Sequence, residues 1–390
     1  TGISSGNVAY ATRCIASSAA MGFVCALPLR PYREDMKHVC AQLRTLRQDV
    51  QWRMAVPFWL VAEEMIGGER RRPYQHHNQH VGEGESEQIR EFREQKKEYE
   101  DVIAAALHNN AAATGAEKLS VLYHCFLRCM TSYILFQFDE AERWRCELEK
   151  RRKKVTVLQS HFLTPMICLF AGLTCFHRFQ ETRSRKYRRK GRKMRKQLAD
   201  MINSDGTFLN YQGMLHLLDA EDTLKGSREK RRLYEDAIHA FSNAGWIHLQ
   251  AVAAERFARA SLKLNERDMH QNLLRVSIRL YAEWGAIAKV RQLRDENGLP
   301  LDELQSDEGQ HRQHSNPHPH QPHFTPPEQQ QHQQHQQHDE RQQQPGSNAA
   351  FGVQRSSQGN RSSANLTRLS HFTPMEGHKE EDYISSDTFF

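Results

Sequence analysis

Apolar residues spaced three and four positions apart recur along the first 298 residues, and this periodicity constrains the fold more than any other feature. In residues 32–48, for example, the apolar stripe consists of Met36, Val39, Cys40, Leu43 and Leu46. Such spacing places apolar side chains on one face of a helix with 3.6 residues per turn. No segment alternates between apolar and polar residues over a length that would favour a strand. We therefore predict an all-α fold.

The final helices also repeat in sequence. The string Leu233-Tyr234-Glu235-Asp236-Ala237-Ile238 is similar to Leu273-Leu274-Arg275-Val276-Ser277-Ile278, which follows at an offset of 40 residues. A helix–turn–helix unit of about 34 to 45 residues is typical of proteins that stack helix pairs. The sequence thus predicts antiparallel helix-pair repeats that form a tetratricopeptide-like α-solenoid.

Changes in composition predict four segments. Residues 1–66 are predicted to form N-terminal helical repeats, and residues 91–298 a helical-repeat domain. Residues 67–90 are polar and Gly-rich and could not bury a face, so we expect a loop insertion there. Residues 299–390 are dominated by Gln, His, Pro and Ser, a composition that cannot repay the entropy of ordering, which predicts a disordered tail.

Positive charge is concentrated in the helical part of the chain. The formal net charge is +7, and residues 301–390 contribute −6, so the first 300 residues carry +13. The densest run spans residues 183–196, where ten of fourteen positions are Lys or Arg. We consider three interpretations: a nuclear import signal or nucleic-acid contact, a docking site for an acidic membrane or protein, and a solvated helix face. The candidate contacts with an anionic partner are Arg183, Arg185, Lys186, Arg188, Arg189, Lys190, Arg192, Lys193, Arg195 and Lys196.

No catalytic motif is found in the sequence. The phosphate-binding loop G-x-x-x-x-G-K-[ST], the dinucleotide fingerprint G-x-G-x-x-G, the kinase signatures, H-E-x-x-H and G-x-S-x-G are all absent. The eight cysteines include no C-x-x-C pair, and most lie among apolar residues. We therefore predict a chain without enzymatic activity, cofactor or metal site, with reduced thiols, located in the cytoplasm or alternatively in the nucleus.

Residues 155–176 contain no charged residue, which raises the question of a membrane span. Gln159, Ser160, His161, Thr164 and Pro165 interrupt the first half of this stretch, and only residues 166–176 are densely apolar. Eleven residues are too few to cross a bilayer as a helix. We predict a buried repeat helix and no membrane span.

Four strings together resemble a known family. They are residues 6–11 (GNVAYA), Asn210-Tyr211 followed by Leu218-Asp219-Ala220-Glu221, then residues 233–238 with Tyr234, Ala237 and Ile238, and finally residues 281–286 with Trp284, Gly285, Ala286, Lys289 and Val290. In this order they resemble the helical, tetratricopeptide-like segment of large multidomain signalling kinases. The resemblance covers roughly residues 6–296, with the inserted loop and the basic run as departures.

The resemblance implies an interaction scaffold in signal transduction. In that family a kinase-like module and an AAA-type ATPase module precede the segment, and a GAF domain and a hybrid histidine-kinase module usually follow it. The implied partners are signalling kinase or ATPase modules, in cis or in trans. The family's ATP-binding and phospho-accepting residues have no matching positions here, so only structural positions carry over. The alternative function is that of a nuclear or nucleic-acid-associated factor that uses residues 183–196.

Overall fold

The computed structural model describes residues 7–67, 87–108, 115–153, 161–205, 209–223 and 228–299. Within these ranges the chain forms thirteen α-helices and one short 3-10 turn, and no strand, so the all-α prediction is confirmed for them. Most of the predicted inserted loop and, apart from Leu299, the whole predicted tail lie outside the described residues. The helices are α1 (Val8–Val24), α2 (Leu29–Thr45), α3 (Asp49–Ile66), α4 (Glu87–His108), α5 (Gly115–Ile134), α6 (Phe138–Arg152), α7 (Thr164–Thr182), α8 (Arg185–Asp205), α9 (Gln212–Asp222), α10 (Arg228–Asn243), α11 (Ile247–Lys263), α12 (Arg267–Trp284) and α13 (Ile287–Asn297).

One turn conformation recurs between successive helices. Three residues join α2 to α3, α5 to α6, α10 to α11 and α11 to α12, and the middle residue of each turn has a positive φ. The N–H of the third residue donates to the C=O five positions earlier, as in Trp246 to Phe241 at 2.9 Å and Glu266 to Ser261 at 3.0 Å. This bond closes the end of the preceding helix in a Schellman motif. The middle residues are Arg47, Phe136, Gly245 and Asn265.

The turn positions show what the 40-residue offset in the sequence represents. Left-handed residues fall at Gly245, Asn265 and Gly285, so one helix with its turn occupies twenty residues. The two similar strings therefore lie on α10 and α12, which are two helices apart along the chain. Close packing joins consecutive helices as α2 with α3, α5 with α6, α7 with α8, α9 with α10, and α11 with α12.

The C-terminal helices pack against the N-terminal ones. Helix α13 contacts α3, and the ring of Trp284 at the end of α12 lies 6.0 Å from that of Phe23 in α1. The Gln292 side-chain amide of α13 donates to the C=O of Leu135, at 3.0 Å. Helices from both predicted helical segments therefore share one packed core, in which α3 and α5 also lie side by side.

Helix α7 contains the apolar part of the uncharged stretch. Its residues from Thr164 to Phe176 are all buried, and α5, α8 and α9 pack around it. A search of the described residues finds no helix with both the length and the apolar character that spanning a membrane requires.

Candidate functional site

Most of the basic run forms α8, which packs on α7 through one glycine. A Cβ atom at Gly191 would lie 2.7 Å from the ring of Phe176, so only glycine permits this close approach. The buried side of α8 also contains Leu198. The opposite side carries the positive charges, which makes α8 strongly amphipathic.

Four of the ten basic residues form ion pairs inside the fold. Arg188 and Arg192 both bind Asp222, each with an Nε–Oδ distance of 2.6 Å. Arg195 forms a bidentate pair with Asp219, and Lys190 lies 3.2 Å from a carboxylate oxygen of Glu149. Because these acids lie on α9 and α6, this part of the charge ties α8 to its neighbours and is not free for a partner.

The other six basic residues are exposed, and no carboxylate of the described residues lies within ion-pair distance of them. Arg183 ends α7, whereas the other five lie on α8. Four of those five follow at spacings of three and four residues and so form one stripe about 15 Å long at a rise of about 1.5 Å per residue. We call these five residues the α8 basic face: Arg185, Lys186, Arg189, Lys193 and Lys196.

We call the residues named from the four family-like strings the signature residues, and two of them, Glu221 and Tyr234, meet in a buried cluster. The Arg256 guanidinium of α11 donates to both carboxylate oxygens of Glu221, at 2.7 and 2.9 Å. The Tyr234 hydroxyl and the Gln180 amide also donate to this carboxylate, at 2.9 and 2.8 Å. Burial opposes ionisation of Glu221, but Arg256 and the hydrogen bonds outweigh it and lower the pKa of Glu221 to about 2. Glu221 is therefore an ionised structural anchor between α9, α10 and α11.

A second buried cluster contains the signature residue Lys289. Its Nζ lies 2.9 Å from a carboxylate oxygen of Glu255, whose other oxygen accepts from the Tyr281 hydroxyl at 2.9 Å. The same Nζ lies 3.2 Å from the ring centroid of Phe136, the left-handed residue of the α5–α6 turn, and the guanidinium of Arg259 lies 3.7 Å from it. Burial lowers the pKa of Lys289 to about 8, against the opposing effect of Glu255. This cluster joins α13 to α11 and to the α5–α6 turn.

The remaining signature residues lie mostly in the core. Ala220, Ala237, Trp284 and Ala286 are fully buried, and Val290 is 5 % exposed. Ile238 and Gly285 are half-buried, whereas Asn210 is exposed in the 3-10 turn before α9. At these positions the structure therefore shows packing and ion-pair contacts. Among the described residues, no group of three or more His, Cys, Asp or Glu is placed to hold a metal ion.

A cavity of about 560 Å³ lies next to the Glu221 cluster. Residues of α7, α9, α10 and α11 line it, together with Phe138 at the start of α6 and Arg183 at the end of α7. Five lining residues are Lys or Arg, and Glu221 is the one carboxylate among the lining residues that the structure describes. The basic lining residues are Arg183, Lys230, Arg256, Arg259 and Lys263.

A second cavity, of about 600 Å³, has a different lining. It lies among α3, α4, α5 and α6 and is bordered largely by apolar side chains. Its charged lining residues include both signs, and Arg128 forms an ion pair with Glu64 at 2.6 Å. Of these two cavities, only the first has an excess of positive charge among its described lining residues.

Sequence reasoning identified the basic run but not its internal partners. Asp219, Asp222 and Glu149 form ion pairs with four of its members, and nothing local to residues 183–196 indicates these acids. Arg256 and Glu255 were missed as well, although a signal exists: both lie within the apolar string Ala251-Val-Ala-Ala-Glu-Arg-Phe-Ala258, where an unpaired charge would be costly to bury.

Comparisons of the chain with protein-family models, with curated proteins and with solved structures give no match. The sequence and the side-chain geometry of the chain itself are therefore what indicate its function.

Proposed function

We propose that this chain is a non-catalytic interaction module, built from helix-pair repeats, that binds an acidic protein through the α8 basic face. One observation carries the proposal. Five exposed Lys and Arg side chains lie on one face of α8 without a carboxylate of the described chain in contact, whereas the other four cations of α8 form ion pairs with Asp222, Asp219 and Glu149. A concentrated, unneutralised patch attracts and orients a partner of opposite charge.

The recurring turn supports an arrangement of the helices in repeats. Gly245, Asn265 and Gly285 follow at intervals of twenty residues, and successive helices pack in pairs. These features are typical of a tetratricopeptide-like α-solenoid, in which stacked pairs hold a binding helix in a fixed orientation.

The non-catalytic part of the proposal rests on how the buried titratable groups are used. The Glu221 carboxylate accepts three partners' hydrogen bonds, and Lys289 contacts Glu255 and Phe136. Groups held in this way stabilise the contacts between helices, whereas a general acid or base must be within hydrogen-bonding reach of a substrate.

We favour an acidic protein over nucleic acid as the partner. Single-stranded nucleic acid binds through bases stacked on exposed aromatic rings as well as through charge. Among the described residues the one large aromatic side chain that is well exposed is Tyr10, which lies on α1. By the family resemblance, we propose a cytoplasmic signalling context with a kinase or ATPase module as partner.

Charge reversal of the face tests the proposal. We expect an acidic fluorescent peptide to bind the wild-type chain and to bind Arg189→Glu/Lys193→Glu/Lys196→Glu at least about tenfold more weakly, since each exposed charge contact contributes about 0.2–1 kcal/mol and reversal turns attraction into repulsion. The matched control is Arg267→Glu/Arg275→Glu/Arg279→Glu on α12, which changes the net charge equally at three exposed positions without carboxylate contacts. Anisotropy titrations measure the affinities, and equal weakening in both variants contradicts the proposal.

A duplex DNA of matched charge separates the two partner classes. If DNA binds more tightly than the peptide, and log affinity falls with log salt at a slope of about −0.9 per neutralised phosphate, the nucleic-acid alternative replaces the proposal. Tighter binding of the peptide supports the acidic protein.

A further inference from the structure

The 560 Å³ cavity holds more positive charge than its own acids neutralise. The charge of Arg256 is matched by Glu221, and Arg259 lies 2.8 Å from a carboxylate oxygen of Glu296. Arg183, Lys230 and Lys263 have no carboxylate of the described residues within ion-pair distance. Their known contacts are to neutral groups: Lys230 donates to the C=O of Thr223 at 3.2 Å, and Lys263 to the side-chain oxygen of Gln180 at 3.1 Å.

The hydrogen bonds around the cavity hold two of these cations in place. The Gln180 amide nitrogen donates to Glu221, which fixes its oxygen toward Lys263. The Thr223 carbonyl, just after α9, holds Lys230 of α10. The cations are thereby positioned without being neutralised, an arrangement that favours an anion between them.

Lys230 and Arg183 are also close enough to Lys263 to affect its pKa. Burial lowers the pKa of Lys263, and the charges of Arg256, Lys230 and Arg183 lower it further, against the attraction of Glu221. Burial likewise lowers the pKa of Lys230. Because these like charges repel, an anion bound between them would relieve the repulsion.

We infer that this cavity binds a phosphate-bearing ligand through Arg183, Lys230 and Lys263. A phosphate group carries up to two negative charges and three strong acceptor oxygens, which matches three cationic donors that line one cavity better than a single carboxylate does. The side chains of Leu262 and Leu264, 49 % and 43 % exposed, border the same cavity and offer an apolar contact to the rest of the ligand. The phosphate belongs either to a free phosphorylated small molecule or to a lipid headgroup.

Thermal unfolding of the full chain with inorganic pyrophosphate tests the inference. A ligand that binds the folded state raises Tm with its concentration. We expect millimolar pyrophosphate to raise Tm of the wild-type chain, and Lys230→Gln/Lys263→Gln to weaken the affinity measured by calorimetry at least about tenfold, because two charge-assisted contacts are lost. Without ligand, this variant should unfold at the same or a higher temperature than wild type, since repulsion is removed, which distinguishes lost binding from lost folding.

The matched control is Lys97→Gln/Lys153→Gln, which removes two charges from exposed positions outside both the cavity and the α8 basic face and should leave pyrophosphate binding unchanged. Vesicles of phosphatidylcholine with and without phosphatidylinositol bisphosphate identify the source of the phosphate. Binding that depends on Lys230 and Lys263 and requires the phosphoinositide assigns a headgroup, whereas a response to pyrophosphate alone assigns a free ligand. No response of the wild-type chain to either probe, or equal weakening in the control variant, overturns the inference. Neither result bears on docking by the α8 basic face.

Discussion

Buried charged residues decide how the helices of this chain are joined. Glu221 and Arg256 connect α9 to α11, and Glu255 and Lys289 connect α11 to α13. A buried ion pair often contributes little net stability, because desolvation offsets the attraction, but removal of one partner leaves an uncompensated charge. These four residues therefore specify which helices meet more than they add to the free energy of unfolding.

The Glu221 pair predicts a loss of stability in acid. Its folded pKa of about 2 is below the ordinary 4.5, so the folded state favours the ionised form. This contribution is complete above pH 4.5 and is lost as the pH falls toward 2, and the shift corresponds to roughly 3 kcal/mol. Between pH 5 and pH 3, the free energy of unfolding measured with urea should fall less for Glu221→Gln/Arg256→Met than for wild type. An identical decline in both chains would contradict the ionised pair.

The Lys289 pair predicts a strongly non-additive double mutant. Lys289→Met alone should lower the free energy of unfolding at pH 7 by roughly 3 kcal/mol, because Glu255 stays buried without its closest cation. Glu255→Gln/Lys289→Met should lie within about 1 kcal/mol of wild type. Since the folded pKa of Lys289 is about 8 and the ordinary value 10.5, wild-type stability should also gain from this group between pH 8 and 10.5. A double mutant as unstable as the single one would refute the pairing.

The sequence pointed to several of the buried charged residues, but not to the residues with which they form ion pairs. The signature strings named Glu221, Tyr234 and Lys289, but their partners Arg256 and Glu255 lie up to 35 residues away on other helices. Local periodicity cannot supply such contacts, because they depend on which helices become neighbours in the fold.

At the scale of elements, α8 shows how one helix serves both the core and the surface. Gly191 sits in the middle of the basic run, where a glycine would ordinarily weaken a helix by about 1 kcal/mol relative to alanine. The structure gives the reason, since the ring of Phe176 on α7 approaches the α8 backbone at this point.

Gly191→Ala should therefore destabilise the chain despite its better helix propensity. The new methyl group would lie within 2.9 Å of three ring atoms of the fully buried Phe176, and overpacking of this kind costs about 1–3 kcal/mol. The destabilisation would appear as a lower midpoint of urea unfolding with an unchanged dependence of the unfolding free energy on urea concentration. Gly245→Asn is the control, because its added Cβ meets no atom within 4 Å and Asn tolerates the left-handed conformation already held by Asn265. A more stable Gly191→Ala chain would contradict the packing of α8 on α7.

Helix type and approximate position could be predicted from the sequence, but several ends could not. Helix α4 begins at Glu87, inside the segment predicted as loop, because its first residues lack the apolar spacing that marks the rest. The turns at Arg47 and Phe136 could not be predicted from the sequence either, because the left-handed position there holds a residue other than glycine or asparagine. Packing of the flanking helices, not local preference, sets these turns.

For the whole molecule, the contacts of α13 with α3 bring the two ends of the described helices into one core. The sequence repeat predicted a stack of helix pairs but said nothing about this contact, which depends on how much each pair rotates relative to the last. Beside α13, Lys289 and Arg259 contact the ring of Phe136 in the α5–α6 turn. Partner binding is therefore expected at exposed helix faces, and above all at the α8 basic face.

Carbodiimide cross-linking of the wild-type chain to an acidic peptide is a direct test of docking by the α8 basic face, because it joins a carboxylate to a lysine side chain only where the two are in contact. Docking by the α8 basic face should give amide bonds at Lys186, Lys193 and Lys196, and few or none at the exposed lysines Lys97 on α4 and Lys153 after α6. Peptide mapping by mass spectrometry locates the bonds. Cross-links distributed evenly over exposed lysines, or concentrated at Lys97 or Lys153, would contradict docking by the α8 basic face.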